Sequence, residues 1–147
     1  MAAKRLLLMF ALASLCWGSA VTANDLSTSG NWIYFSDTVM GGRSSGAAER
    51  VNVHGRAAIK LTGTVTTENN GGFVQVRREI DAGRASNFEG LSFKAKGNGE
   101  TYYIHIRNGS SRLPWQYYSA SFQTSGDWET VKIPFSRFER SGSFMAK

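Results

Sequence analysis

Between Ser36 and Gly46 the chain reads SDTVMGGRSSG, which sets a carboxylate, a methionine, an arginine and three glycines within eleven residues. Two chemistries fit such a segment. In one, Asp37 and Arg43 stand at the rim of a loop and bind a partner or a glycan, with Arg77 nearby. In the other the segment is a tight corner. Gly41 and Gly42 then permit unusual backbone angles or close approach, Met40 fills a neighbouring gap, and Asp37 accepts hydrogen bonds from loop amides. A phosphate-binding loop fits poorly, because no Lys-Ser or Lys-Thr pair follows the glycines and no strand-loop-helix pattern surrounds them.

The remaining reactive side chains are dispersed. His54 and His105 are the only histidines, and neither stands at a spacing from Asp, Glu or Cys that marks a metal site or a catalytic triad. The carboxylates from Asp37 to Glu139 are scattered, so no pair is singled out for glycosidase-type acid and base work. The expectation is a protein that is not an enzyme, with no catalytic residue, metal or cofactor.

The elements that would position these residues are strands. No long stretch after the first 23 residues spaces apolar residues helically, whereas alternation with period two recurs between Gly, Asn and Ser clusters. The pattern predicts eight strands: NWIYFS, ERVNV, AAIKLTGTVT, FVQVRREI, LSFKAKG, TYYIHIRN, QYYSASFQT and ETVKIPF. Eight short strands favour a two-layer sandwich or jelly roll. ENNGGF and KGNGET, rich in residues that accept positive φ, read as hairpin connections.

Alternation along each strand assigns one parity to the core: Ile59, Leu61 and Val65; Val74 and Val76; Leu91, Phe93 and Ala95; Tyr102, Ile104 and Ile106; Tyr118, Ala120 and Phe122; Val131, Ile133 and Phe135. The other parity collects Gln75 and Arg77, Lys94 and Lys96, Tyr103, His105 and Arg107, and Tyr117 and Ser119. Placed in one sheet, these would form an aromatic and cationic face suited to sugar rings, carboxylates or an acidic protein patch. Strands alternating between two sheets would scatter them over an ordinary solvated exterior.

The amino end has a different character. Lys4 and Arg5 precede an apolar run from Leu6 to Trp17, and Val21 and Ala23 sit at the small-residue positions of a cleavage site, a signal-peptide pattern. The domain reading is a signal peptide over 1–23 and one sandwich domain over 24–147, exported to a periplasm or secreted. Cys16 is the only cysteine and falls within the leader, so the exported chain would carry no disulfide. The bulky Leu15 before it disfavours lipidation. The 17 basic and 11 acidic residues leave a net +6, or +4 once Lys4 and Arg5 are set aside. That bias is too mild for nucleic acid. No transmembrane segment is expected after the leader.

Several segments, in order, resemble the complex I intermediate-associated protein 30 family: Trp32, SDTVMGGRSSG, NNGGFVQVRR, GLSFKAKGNGETYYIHIR, YYSASFQT and DWETVKIPFSRF. The most specific part is the D-x-V-M-G-G-x-S-x-G segment followed by GGF-x-x-V-R, which brings Gly71 and Gly72 together with Met40, Gly41 and Gly42 as structural loop residues. The resemblance implies an all-β, two-sheet antiparallel jelly-roll sandwich, galactose-binding-domain-like, without a catalytic centre. Mitochondrial members of the family assist complex I assembly as chaperone-like scaffolds. It thus points to a protein partner, with a glycan as the alternative of a carbohydrate-binding module. The residues expected to meet either are Asp37, Arg43, Gln75, Arg77, Tyr103, His105, Arg107 and Tyr117.

Family members continue past PFSRF with further strands, where this chain has ERSGSFMAK. The expectation is an open sheet edge at ETVKIPF, prone to self-association, unless another segment closes the sheet, a partner supplies a strand, or the product is truncated. Export itself yields the first prediction: intact-mass analysis of secreted protein finds Asn24 at the amino terminus, and neither a retained Met1 nor a lipid on Cys16.

Overall fold

The structure, a computed structural model, describes residues 4–15, 24–25 and 31–141. Among these described residues eleven strands follow one another: β1 Lys4–Leu15, β2 Asn24–Asp25, β3 Ile33–Ser36, β4 Ser45–Val53, β5 Arg56–Val65, β6 Val74–Arg77, β7 Gly90–Gly97, β8 Thr101–Ile106, β9 Tyr118–Gln123, β10 Glu129–Pro134 and β11 Glu139–Arg140. The eight strands expected from alternation are β3 to β10. Among the described residues the pairs are antiparallel and fall into three groups: a large sheet ordered β10-β7-β1-β5-β4 with β2 beside β1, a sheet ordered β11-β9-β8, and the pair β3-β6. The chain is an all-β sandwich.

The core lies between the large sheet and the smaller groups. Leu61, Phe93, Ala95 and Ile133 from the large sheet meet Val74 of β6 and Tyr102, Ala120 and Phe122 of β8 and β9 in one buried cluster. Rings make the contact across the layers: Phe93 of β7 meets Phe122 of β9 edge-on at 5.1 Å, and Tyr102 stacks on Phe122 at 6.0 Å. Tyr102 keeps its hydroxyl satisfied by Asn98 Oδ1 at 2.7 Å, which lets a polar tip sit in an apolar layer. Every member of this cluster belongs to the parity assigned to the core. Val65, Val76, Leu91, Ile104 and Val131 pack against it half-buried.

The connections differ from expectation. β5 leads through ENNGG to β6, and β7 through Asn98, Gly99 and Glu100 to β8, yet each pair lies in different sheets, so neither is a hairpin. Positive φ at Asn69, Asn70, Gly72 and Gly99 serves instead to turn the chain from one layer into the other. The tight hairpin is β4–β5, where His54 and Gly55 take φ of +50° and +78° and Asn52 Oδ1 accepts the Gly55 N–H at 2.8 Å. Both central residues are left-handed, which suits the twist of the two strands.

The apolar run read as a leader also has strand partners in this structure. With that run attached, β1 is a middle strand of the large sheet: residues 4–11 pair with 65–58 of β5, and residues 8–14 pair with 97–92 of β7 across one irregularity. Cys16, Val21 and Ala23 lie outside the described residues.

Among the described residues β10 is paired with β7 alone and ends the large sheet, the edge position expected of it; on its inward face Ile133 is 0% exposed while Val131 and Phe135 are half-buried. Cavity formation there is therefore costly: Ile133→Ala lowers unfolding free energy by about 2–5 kcal/mol, and Val131→Ala, at a half-buried position of the same face, by less. Urea denaturation of the two variants measures the order.

Candidate functional site

The SDTVMGG segment is a corner built around one carboxylate. Ser36 ends β3, Asp37–Met40 makes a single 3-10 turn, and Gly41 closes it in the left-handed region at φ +89°. Asp37 is 0% exposed. Its Oδ1 accepts the Ser44 N–H at 2.9 Å; its Oδ2 accepts the Ser44 hydroxyl, the Gly72 N–H at 2.6 Å and the Phe73 N–H at 3.3 Å. The backbone completes the tie, with Asp37 N–H donating to Phe73 O at 3.2 Å and Gly42 N–H to Asp37 O at 2.9 Å. Ser44 Oγ in turn accepts the Thr66 N–H at 3.1 Å. One side chain thereby joins the end of β3, the start of β4, the end of β5 and the entry to β6.

Glycines are required around it for room. A Cβ on Gly42 would lie 2.5 Å from Asp37 Oδ1, and one on Gly71 would lie 2.5 Å from Asp37 Oδ2 and 2.9 Å from Thr66 O. Burial pushes the carboxyl pKa up, but the Ser44 hydroxyl and then the Gly72, Ser44 and Phe73 amides outweigh it and hold Asp37 below its ordinary 3.8. The carboxylate is ionised and fully occupied by donors from its own chain.

Asp37 therefore does not stand at a rim. Nor does Met40 fill a gap: it is 66% exposed and its neighbour Val39 70%, so the corner holds two apolar side chains out in solvent. The reason is the turn itself, whose buried side carries only Asp37. Arg43 lies on the outside of the corner, where its guanidinium meets the Glu68 carboxylate at 3.3 Å. The corner reading and the rim reading thus divide by residue, with Asp37 inside and Arg43 outside.

A second group forms on the outer face of β8. Tyr103, His105 and Arg107 share its parity, and His105 stacks on Tyr117 with centroids 4.1 Å apart, while Tyr103 tilts against His105 at 6.5 Å. Desolvation lowers the His105 pKa from its ordinary 6.5, so the ring is neutral at pH 7. Arg107 is turned into the loop between β8 and β9, donating to Ser111 O and Leu113 O, each at 3.0 Å. Tyr103 lines an open groove with Ser121, Arg137, Glu139 and Arg140. Arg137 and Arg140 escaped the sequence reading because they follow the last expected strand; only the pairing of β11 with β9, Glu139 to Ser119 and Arg140 to Tyr118, carries them there.

Gln75 and Arg77 are not part of that face. They lie on β6 opposite Phe35 and Ile33 of β3, and the Arg77 guanidinium sits 5.0 Å over the Phe35 ring. Lys94 and Lys96 are on β7 in the large sheet. The aromatic and cationic residues of one parity are thus split among three groups of strands. Among the described residues no cluster of three His, Cys, Asp or Glu could hold a metal ion, and no helix is long and apolar enough to cross a membrane.

The corner makes two quantitative expectations. Asp37→Asn, which turns an amide N–H₂ toward N–H donors, costs about 2–4 kcal/mol of stability. The folded pKa of Asp37 lies below the unfolded one, so its stabilisation is complete above about 3.8 and is lost as pH falls through the lower folded value. Acid titration of unfolding should accordingly be steeper for the parent than for Asp37→Asn. Gly42→Val should lower the melting temperature far more than Arg43→Ala, whose exposed ion pair is worth at most about 1 kcal/mol. Equal melting temperatures for the last two variants would show that Gly42 has room to spare.

No curated protein and no solved structure matches the chain. The family model for complex I intermediate-associated protein 30 matches residues 21–145, which include the Asp37 corner, the GGF segment that supplies two of its donors, and every strand from β2 to β11. With the match covering nearly all of the sequence and the sandwich in place beneath it, the chain belongs to the complex I intermediate-associated protein 30 family.

Proposed function

We propose that the chain is a non-enzymatic, exported interaction domain that binds a protein partner in an assembly-factor-like role. Family membership suggests a complex I assembly-factor-like domain that works through protein interaction. The observation that carries the reading is the corner: Val39 and Met40 are exposed at 70% and 66% on a turn whose backbone is held from within by Asp37. Apolar side chains presented on a fixed turn lose little conformational freedom on binding, and an exposed methionine adapts to a partner's surface. The carboxylate behind them is consumed by structural donors, which argues against acid or base work at this place. The leader pattern of residues 1–23 supports export, to a periplasm or to the outside.

A carbohydrate-binding reading is favoured by one feature, the Tyr103, His105 and Tyr117 row. Sugar rings stack on open aromatic faces, yet His105 covers one face of Tyr117, and Tyr103 is set at 44° to His105 rather than in line with it. The adjoining groove carries Arg137, Glu139 and Arg140, a mixture that suits a protein surface better than a neutral glycan.

Crosslinking capture from the exporting cell, run beside a glycan array, separates the two. Val39→Ser with Met40→Ser should reduce capture of the partner by about tenfold or more with an unchanged melting temperature, as expected of residues central to an interface. Tyr103→Ala should leave that capture intact. Glycan binding that disappears in Tyr103→Ala, together with capture indifferent to the corner variant, would replace the protein reading with the carbohydrate one.

A further inference from the structure

The outer face of the β11-β9-β8 sheet is grooved because its middle strand carries small side chains there. In β9 Ala120 and Phe122 are buried, which leaves Ser119 and Ser121 on the opposite, outward parity. Ser121 is paired with Tyr103 of β8, and Ser119 lies between His105 of β8 and Glu139 of β11. Larger groups thus stand on both sides of a serine floor. On one side is the Tyr103 ring, 62% exposed. On the other are Arg137, at the end of the 3-10 turn Phe135–Arg137, and Glu139 and Arg140 of β11.

The fold leaves these polar groups unused. Among the described residues neither Arg137 nor Arg140 is in an ion pair, Glu139 is in none either, and the hydroxyls of Tyr103, Ser119 and Ser121 make no hydrogen bond. The contrast is with Arg107, whose guanidinium is tied to Ser111 O and Leu113 O, and with Arg43, which meets Glu68. Two free guanidinium groups beside hydroxyls offer a carboxylate charge-assisted and bidentate hydrogen bonds. Glu139, in the same groove, narrows the choice of ligand. A plain polyanion would bring like charge against it, whereas a ligand that also carries hydroxyls can donate one to Glu139 while its carboxylate turns to the arginines. Tyr103 supplies the groove's aromatic face, which is room for one sugar ring rather than a row of them.

We propose that this groove binds an acidic saccharide residue, a pyranose ring that bears a carboxylate. The apolar face of the ring lies on Tyr103. Its carboxylate accepts hydrogen bonds from Arg137 and Arg140, and its hydroxyls donate to Glu139 and exchange hydrogen bonds with Ser119 and Ser121. The charges that a neutral glycan leaves without a partner are the ones this ligand engages. The site uses none of the residues of the Val39–Met40 corner, so it stands or falls separately from partner binding there.

The test is calorimetric titration of the full chain with three kinds of probe: trimers of galacturonate, glucuronate and mannuronate; the methyl esters of the same trimers, which keep the rings and lose the charge; and a triaspartate peptide, which keeps the charge and lacks the rings. At least one uronate trimer should bind, with an affinity that falls as salt is raised. Its methyl ester and triaspartate should each bind about tenfold or more weakly than it does. Arg137→Ala and Arg140→Ala should each weaken the uronate by about tenfold, and Tyr103→Ala by about threefold to tenfold. Glu139→Ala should weaken the uronate and strengthen triaspartate, because the first loses an acceptor for its hydroxyl and the second loses a repulsion. All four positions are exposed, so the variants should keep the parent melting temperature. The comparison of probes on the parent chain depends on no variant.

Failure of all three uronates to bind overturns the proposal. Equal binding of the ester overturns it as well, since the arginines are then idle. Equal binding of triaspartate, or a uronate that binds more tightly to Glu139→Ala, shows that the groove reads charge alone and fits an acidic peptide instead. The Val39→Ser, Met40→Ser variant should bind the uronate as the parent does. Loss of partner capture in that variant with uronate binding intact leaves both sites standing, whereas uronate binding lost with it would overturn the groove as a separate site.

Discussion

A single buried carboxylate fixes the relation between the parts of this sandwich. Asp37 takes donors from Ser44, Gly72 and Phe73, and through Ser44 it is linked to Thr66, so four chain segments that would otherwise meet as loose loops are held at one point. An ionised group without solvent is tolerable only when its lone pairs are filled, and here the filling groups are mostly backbone N–H that themselves need acceptors. The same exchange therefore satisfies both sides. The glycines at 42 and 71 follow from it, since any side chain there would enter the space of the carboxylate.

The division between inside and outside at this corner also explains how one short motif can combine a structural and a surface role. A 3-10 turn of four residues has no face wide enough to bury all its side chains. With Asp37 turned inward, Thr38, Val39 and Met40 are left outside. Their exposure is a result of the buried charge rather than of loose packing. A polar anchor and an apolar tip are opposite ends of the same turn.

Much of the fold was legible from the sequence because strands obey a short local rule. Alternation placed β3 to β10 and put Leu61, Phe93, Ala95, Tyr102, Ala120, Phe122 and Ile133 on the inward parity. Which strands share a sheet is not a local property. ENNGG and the residues around Gly99 have the composition of hairpin turns, yet they carry the chain between layers, because positive φ serves either geometry. For the same reason the candidate site was only partly legible. Parity identified Tyr103, His105, Arg77 and Lys94 as outward, but only the pairing of strands shows that they lie on different groups. Met40 was misplaced because an apolar side chain beside glycines gives no sign of direction in a turn. A basic start and an apolar run are compatible both with a leader and with the backbone pairing of β1.

The sheet order has a bearing on when the molecule can become itself. The β4–β5 hairpin closes over two residues and is available as soon as residue 65 has been made. The middle of the large sheet is different, since Phe10 must find both Ile59 and Ala95, partners from distant parts of the chain. Closing such long loops is slow and comes after local structure. With residues 4–15 attached, β1 is thus among the last strands to be placed, and until then β4–β5 and β7–β10 stand as two pairs rather than one sheet. The sheet order alone makes assembly sequential.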